Sequence, residues 1–223
     1  MLKRGFTIVE LIIVVIVIAI LATIITVGYT TVQKNALTAV YADEATKLSD
    51  QFSLISAHGD MGKLFGEALL SPDGTPQTNI CIGDVSDFPE TDDFAEGECV
   101  RGVNLDGSST IYSANAVFAQ RMREAGFQWS NNLPVVNYRQ SGTEAKARGV
   151  VLSVIGGKPY FLTWYTPDQA GCGRGNGVMA SVIEVAHTNE AYRQGLIDQY
   201  GEDWEEVLGG GSDGCLLSIT DSV

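Results

Sequence analysis

Glu10 is the residue whose surroundings make its chemistry most specific. It is the only charged residue between Gly5 and Val27, in a stretch that is otherwise almost entirely apolar. A carboxylate at the centre of a bilayer costs about 2.5 to 3.5 kcal/mol on insertion scales, so such a residue is treated as functional by default. Its expected chemistry is the pairing of a negative charge with a cation.

The apolar run around Glu10 predicts a helix in hydrocarbon. Residues 11–27 contain only two polar side chains, both threonines, whose hydroxyls can bond to backbone carbonyls one turn earlier. A helix over residues 6–29 spans roughly 36 Å, more than the roughly 30 Å of a bilayer's apolar layer. Lys3 and Arg4 precede it and hold that end in the cytoplasm. We therefore expect a single-pass protein of the cytoplasmic membrane, with the rest of the chain outside the cytoplasm.

Cysteines are the second group of residues with defined chemistry. All four follow the apolar run, at Cys81, Cys99, Cys172 and Cys215. An even number outside the cytoplasm predicts two disulfides. Three pairings are possible; Cys81 with Cys99 and Cys172 with Cys215 need no crossing of long loops, and reduced cysteines remain an alternative. Zinc is disfavoured, because no C-x-x-C interval occurs and only His58 and His187 could assist.

The N-terminus resembles a known family. A short basic leader, Gly5, the run Phe6-Thr-Ile-Val-Glu-Leu11 and a long aliphatic helix are similar to the prepilin signature of type IV pilins and of the pseudopilins of type II secretion and competence systems. The resemblance covers about the first thirty residues. It implies cleavage between Gly5 and Phe6 by a prepilin peptidase, N-methylation of Phe6, and packing of the helix in a filament core. Many family members have a proline in the apolar run, whereas this chain has none and Gly28 is the only helix-weak residue nearby.

The same resemblance gives Glu10 the role of assembly carboxylate. Cleavage creates an ammonium at Phe6, and the Phe6 of an incoming subunit can pair with Glu10 of a subunit already in the filament. Because Phe6 and Glu10 are four residues apart, a pair within one chain is the alternative. The expected protein is a structural pilus subunit for adhesion, motility or surface contact, which self-associates and is handled by the pilus assembly machinery. It would be a membrane protein before assembly and part of an extracellular pilus afterwards.

Other protein classes explain the N-terminus less well. A cleaved signal peptide has an apolar core of about 7 to 15 residues and an A-x-A-like site, which this longer run lacks. A signal anchor on an external binding module explains the length and the basic leader, but not Gly5 together with Glu10. Within the family, a minor pilin or pseudopilin is the alternative to a major pilin.

Charge and motifs exclude several functions. The formal charge is −13, and removal of Lys3 and Arg4 leaves 12 basic against 27 acidic side chains, or −15. Such a surface disfavours direct nucleic-acid binding. No nucleophile or zinc-protease motif is present, so we expect neither an enzyme nor a cofactor.

An acidic cluster could hold calcium but lacks the spaced calcium loop, so we expect a solvated surface and no metal. The cluster comprises Asp84, Asp87, Glu90, Asp92, Asp93, Glu96 and Glu98.

The chain is expected to have four parts. They are a leader over residues 1–5, a filament-core half of the helix over 6–28, an amphipathic half over 29–57, and a globular head over 58–223 that begins with a connector, 59–107. The amphipathic half has apolar residues at three- and four-residue steps, which predicts one buried face. No proline interrupts this half, and Gly59 provides a stop.

The head is expected to be α+β, with a small antiparallel sheet packed on the N-terminal helix. Residues rich in Val, Ile and aromatic side chains predict strands at 133–138, 149–155, 160–165, 178–186 and 216–219. A turn at 156–159 would make the second and third strands a hairpin at the sheet centre. Helices are expected within 61–70, at 114–125 with Ser113 as N-cap, and at 189–208.

Overall fold

A computed structural model gives the fold of most of the chain. It describes residues 8–59, 61–65, 77–103, 108–140, 143–155, 158–167, 172, 178–179, 190, 193–194, 197–198, 202 and 214–219. Contacts divide the chain into two compact units, Met1–Ala36 and Leu37–Val223. The second unit contains the head.

Helix α1, Ile8–Ala57, is the longest element. It contains no proline, and it ends where the sequence predicts. The His58 N–H donates to the carbonyl of Leu54, and the Gly59 N–H donates to that of Ser56. Gly59 takes a φ of 74°, a left-handed conformation that glycine adopts without strain.

The remaining elements are short. Helices α2 and α3 span Met61–Phe65 and Ala116–Glu124, and a 3-10 turn spans Val85–Asp87. The strands are β1 (Asn79–Cys81), β2 (Glu98–Val103), β3 (Ser109–Ala114), β4 (Val136–Gln140), β5 (Thr143–Ala147), β6 (Val151–Ile155), β7 (Lys158–Tyr165), β8 (Val178–Met179) and β9 (Gly214–Ser218).

The described strands form one sheet, in the order β4-β5-β2-β3-β1-β6-β7-β9-β8. All neighbouring pairs are antiparallel except β1 and β3, which run parallel with Ile80 opposite Ser113. The α+β fold class is thus confirmed, but the sheet is mixed and has nine strands among the described residues. The expectation of a small, purely antiparallel sheet was therefore wrong. The strand propensities of β1, β2, β3 and β5 were too weak to predict these strands from the sequence. The β6–β7 hairpin forms as expected, although β1, and not the hairpin, holds the middle position.

Several boundaries differ from expectation. Ser113 and Ala114 belong to β3, so α3 begins at Ala116 and its N-cap is Asn115, whose side chain accepts a hydrogen bond from the Phe118 N–H. Sheet pairing of Ser113 with both neighbouring strands outweighs its capping preference. Residues 59–107, the expected connector, contribute β1 and β2 to the sheet. Of the predicted strand at 178–186, the structure describes only Val178–Met179, which form β8.

The expected helix over residues 189–208 is described at six positions. Glu190, Arg193, Gln194, Ile197 and Asp198 are helical, and Glu202 lies in a turn. Most other residues of that helix, the rest of 178–186 and residues 66–70 lie outside the described part of the chain.

The sheet buries side chains on both faces. In β6, Leu152 packs in a core with α1, α2 and α3, whereas its neighbour Val151 packs in a second core with Tyr138 and Tyr165. Successive strand residues point to opposite faces, so both must be apolar. This explains why β6 has apolar residues on both faces at Val151 and Leu152 and does not alternate strictly with polar residues.

Candidate functional site

The described start of α1 is apolar on every side except at Glu10. All side chains over residues 8–21 are exposed, and the large hydrophobic ones among them are between 47% and 79% exposed. A helix that is apolar all round requires an apolar environment, such as lipid or neighbouring helices. This segment is therefore an interaction element and not part of a self-contained core.

Glu10 lies in the first turn of this helix. A negative charge there is favourable, because the helix N-terminus carries partial positive charge. The predicted cleavage site at Gly5 and the predicted methylated residue Phe6 lie outside the described residues. Their relation to Glu10 therefore stays a prediction, as does the role of Glu10 in assembly.

Within the described part of the chain, no helix combines the length and the apolar character needed to cross a membrane. The side chains of residues 22–28, which complete the predicted span of 11–27, are not described. The single membrane crossing accordingly stays a prediction.

The second half of α1 is part of the core of the head. Tyr41, Ala45, Leu48 and Phe52 are each at most 1% exposed and belong to the same core as Trp164. Their spacing of three and four residues places them on one face of the helix. The predicted buried face of the amphipathic half is confirmed for these four residues, whereas Val32 and Val40, which belong to the same apolar periodicity, are exposed.

Polar side chains attach the same helix half to the segment between α3 and β4. The Tyr41 hydroxyl donates to the carbonyl of Pro134 at 2.6 Å. Buried Glu44 accepts hydrogen bonds from both the backbone N–H and the hydroxyl of Ser130, at 2.7 and 2.6 Å. Burial raises the pKa of Tyr41 well above its ordinary value. These bonds fix the rotation of α1 in the head, which apolar packing alone specifies less sharply.

One further pair strengthens this attachment. Gln51 donates through Nε2 to the carbonyl of Gln128 at 2.9 Å, and its Oε1 accepts from the Gln128 N–H at 2.6 Å. A reciprocal pair of this kind satisfies the side-chain amide and a loop backbone at once.

The four cysteines form the two expected sequential pairs. Cys81 bonds to Cys99, and Cys172 bonds to Cys215. The first disulfide closes a loop over residues 82–98, which we call the acidic loop. The second ties residue 172 to β9, next to β7. Both are of the kind expected in an oxidising compartment.

Arg148 secures the acidic loop, and sequence reasoning did not identify it. Its side chain is only 7% exposed, and its guanidinium lies 4.4 Å from the ring centre of Phe94. Its Nε donates to the carbonyl of Glu98 at 2.8 Å. Burial lowers the pKa of Arg148, and the Glu98 carboxylate opposes that shift. A lone arginine gives no pattern in the sequence, so only tertiary structure reveals this role.

Most acids of the predicted cluster have internal partners. Asp84 pairs with Arg123, Asp93 with Lys146, and Glu98 with Arg101, while Asp87 accepts from the indole of Trp129. Glu90, Asp92 and Glu96 are exposed. Among the described residues, no group of His, Cys, Asp and Glu side chains is arranged to hold a metal ion. Of the two histidines, His58 is exposed at the end of α1 and His187 lies outside the described residues.

Comparison with known proteins identifies the N-terminal part of the chain. Residues 1–26 match the family model described as the prokaryotic N-terminal methylation motif. This motif is the prepilin signature, and the match supports a type IV pilin-like protein. No curated protein matches the chain, and no solved structure does.

The motif also defines the general class of activity. It implies processing by a prepilin peptidase and pilus assembly, and it suggests membrane anchoring before assembly. It points to a structural protein and not to an enzyme. The match covers only the first part of α1, so it assigns no role to the head.

Proposed function

We propose that this chain is a structural subunit of a type IV pilus filament and polymerises through its N-terminal helix. The observation that carries the proposal is the conjunction of two features. Residues 1–26 match the methylation motif, and the described side chains within that segment, residues 8–21, belong to a helix and are apolar except for Glu10. A minor pilin, a pseudopilin of a secretion or competence system, and a signal-anchored binding module are the alternatives.

The motif supports the following sequence of events as part of this proposal. A prepilin peptidase cleaves between Gly5 and Phe6 on the cytoplasmic side, and the same enzyme methylates the new amine of Phe6. Before assembly the helix holds the subunit in the inner membrane, with the head outside. The assembly machinery then moves the subunit into an extracellular filament, which serves adhesion, motility or surface contact.

Glu10 sets the axial register in this proposal. Aliphatic helices packed in a filament core have few features that prevent one from sliding along another. A buried carboxylate on one subunit and the Phe6 ammonium on the next would fix the axial position of the two helices, since each charge is costly when unpaired. The pair therefore acts as a positional contact between subunits.

Replacement of Glu10 by alanine tests the proposal. Removal of one partner from a buried ion pair costs about 3–5 kcal/mol, so filament yield should fall by more than about tenfold. Cleavage after Gly5 should be unchanged, because the peptidase acts on the monomer. The measurement compares processed subunit in membranes with subunit in sheared filaments, and mass spectrometry checks for methylated Phe6.

Asp50→Ala is the matched control. Asp50 is an exposed carboxylate on the same helix, so its removal should leave both cleavage and filament yield unchanged. Co-expression of Glu10→Ala with unaltered chain should allow partial incorporation. Normal filament yield from Glu10→Ala alone would show that the inter-subunit pair is wrong.

Abundance separates the alternatives. A major pilin makes up the bulk of sheared filaments, whereas a minor pilin or pseudopilin is a small fraction of them. A signal-anchored binding module retains residues 1–5 and remains in the membrane fraction. Detection of Met1 in the mature protein would overturn the pilin assignment.

A further inference from the structure

The sheet of the head curls so far that side chains of its first and seventh strands meet. In the strand order, β4 is first and β7 is seventh. Neighbouring strands lie about 4.8 Å apart, so six such steps would separate β4 from β7 by roughly 29 Å in a flat sheet. The rings of Tyr138 in β4 and Tyr165 in β7 are nevertheless stacked, with their centres 4.0 Å apart and their planes inclined by 24°. The strands between them therefore form a strongly curved surface around the second core.

Side chains, and not backbone hydrogen bonds, join these two strands. One edge of β7 is paired with β6 and the other with β9. Among the described strands, β4 pairs only with β5. The stacked rings thus connect two strands that share no backbone hydrogen bonds in the described sheet. A covalent bond between the rings would add a link that the backbone does not provide.

The two phenols are buried and interact with each other. Tyr138 is 2% exposed and Tyr165 is 4% exposed. Burial, the neighbouring phenols of Tyr112 and Tyr138, and a side-chain hydrogen bond with Tyr138 raise the pKa of Tyr165 well above its ordinary value. Tyr112 is only partly buried and packs against the same core, so it provides a third phenol nearer to solvent.

Stacked phenols have a specific oxidative chemistry. Removal of one electron and the hydroxyl proton from each ring gives two phenoxyl radicals, whose unpaired electrons are shared with the carbons ortho to oxygen. A carbon–carbon bond then forms between one ortho carbon of each ring. The hydrogen on each of these carbons moves to the phenol oxygen, which restores the aromatic rings. The pair loses two electrons and two protons in total, and one hydrogen peroxide molecule takes these up as it becomes two waters.

The chain has no thiol that would react with such radicals first. All four of its cysteines are in the two disulfides. Cys81 and Cys99 lie in the same core as the tyrosine pair. Disulfides of this kind belong to an oxidising compartment, where reducing thiols are scarce.

We propose that Tyr138 and Tyr165 form a site of oxidative modification, at which a dityrosine bond is made within a single head. The reagent is a one-electron oxidant, such as a radical or metal complex that peroxide regenerates. The bond joins β4 to β7 and locks the curved sheet. The inference goes beyond the proposed function and does not depend on it, because one copy of the chain contains both rings.

Controlled oxidation of the full-length protein in detergent tests the site. The oxidant is a ruthenium(III) complex generated by light, with persulfate as the terminal electron acceptor. We expect dityrosine fluorescence in the monomer band of a denaturing gel. Mass spectrometry after trypsin digestion should find a linked pair of peptides that contains Tyr138 and Tyr165 and has lost two hydrogen atoms.

Phenylalanine at either position removes one hydroxyl and keeps a ring in the stack. Tyr138→Phe and Tyr165→Phe should therefore each eliminate the fluorescence of the monomer band and the linked peptides. Tyr29→Phe is the matched control, because Tyr29 is 62% exposed on α1. Its replacement should leave both signals unchanged.

Urea unfolding measures whether the bond locks the sheet. Oxidised monomer should unfold at a higher urea concentration than untreated monomer, whereas oxidised Tyr138→Phe should show no such increase. Dityrosine that forms only between chains, or that persists in the monomers of both phenylalanine variants, overturns the site. A linked monomer with an unchanged unfolding midpoint overturns the lock. Filament yield is not measured here, so failure of the proposed function would leave these outcomes unchanged.

Discussion

Loss of the disulfide that closes the acidic loop should destabilise the head strongly. Cys81 and Cys99 are 18 residues apart in sequence, and Cys172 and Cys215 are 43 apart. On the chain-entropy model, closing loops of these lengths stabilises the folded state by about 3 and about 4 kcal/mol, respectively. Cys81 and Cys99 are also fully buried, so alanine at both positions removes packed sulfur atoms as well. We expect Cys81→Ala/Cys99→Ala to lose slightly more than 3 kcal/mol.

Urea unfolding of the full-length protein in detergent measures this loss. Tryptophan fluorescence reports on the head, since Trp129 and Trp164 both lie in it. Ser86→Ala is a matched control in the same loop, because Ser86 is exposed and should change stability by less than about 0.5 kcal/mol. A loss below about 1 kcal/mol for the double variant would refute the loop-closure reasoning.

Two further predictions concern buried ionisable groups. Arg148→Met keeps the apolar volume but leaves the carbonyl of Glu98 without the hydrogen bond that Arg148 donates. We expect the free energy of unfolding to fall by about 2 kcal/mol and added protease to cut the acidic loop faster. An unchanged rate of proteolysis would contradict the role of Arg148. Burial raises the pKa of Tyr41 and of Tyr165, so both favour the folded state below about pH 10 and lose that contribution as pH rises further. Above pH 10 the unfolding free energy should fall by up to about 1.4 kcal/mol per pH unit for each tyrosine. Tyr41→Phe should reduce that slope in urea titrations between pH 8 and 11, and an unchanged slope would show that Tyr41 does not contribute.

The long helix and its end could be predicted because the signals are local. Apolar periodicity, the absence of proline and the stop at Gly59 all act within one or two turns. The sequence favoured the sequential cysteine pairs because they need no loop crossing, but it could not exclude the other pairings. The N-terminal motif was visible because it depends on residue types at fixed spacing.

The sheet could not be predicted in full because its strands depend on distant partners. Strand β5 consists of Thr143-Glu-Ala-Lys-Ala147, a composition that favours a helix in isolation. Pairing with β2 and β4 on both sides makes it a strand. The three-residue β1 is likewise defined by β3 and β6. Tertiary contacts override local propensity in such segments.

The polar contacts that hold α1 and the acidic loop in the head could not be predicted either, because their partners are far apart in the sequence. In the sequence, Glu44 does not differ from the other polar residues of the helix, and its hydrogen-bond partner Ser130 lies 86 positions away. Nothing in their spacing relates them. Likewise, Arg148 and Phe94 are far apart in sequence, and only the fold of the acidic loop brings them together.

The position of β9 has a consequence for the timing of folding during synthesis. Residues 214–218 lie between β7 and β8, and Leu217 packs in the same core as Tyr41 in the second half of α1, which precedes the head in the sequence. The core-facing side of α1 is therefore synthesised long before the strand that completes its surroundings. During that interval the ribosome has added more than 170 residues, and the apolar face of the helix must be kept from premature association. Folding of the head is consequently completed only after β9 has been synthesised, and contacts of such large sequence separation slow it.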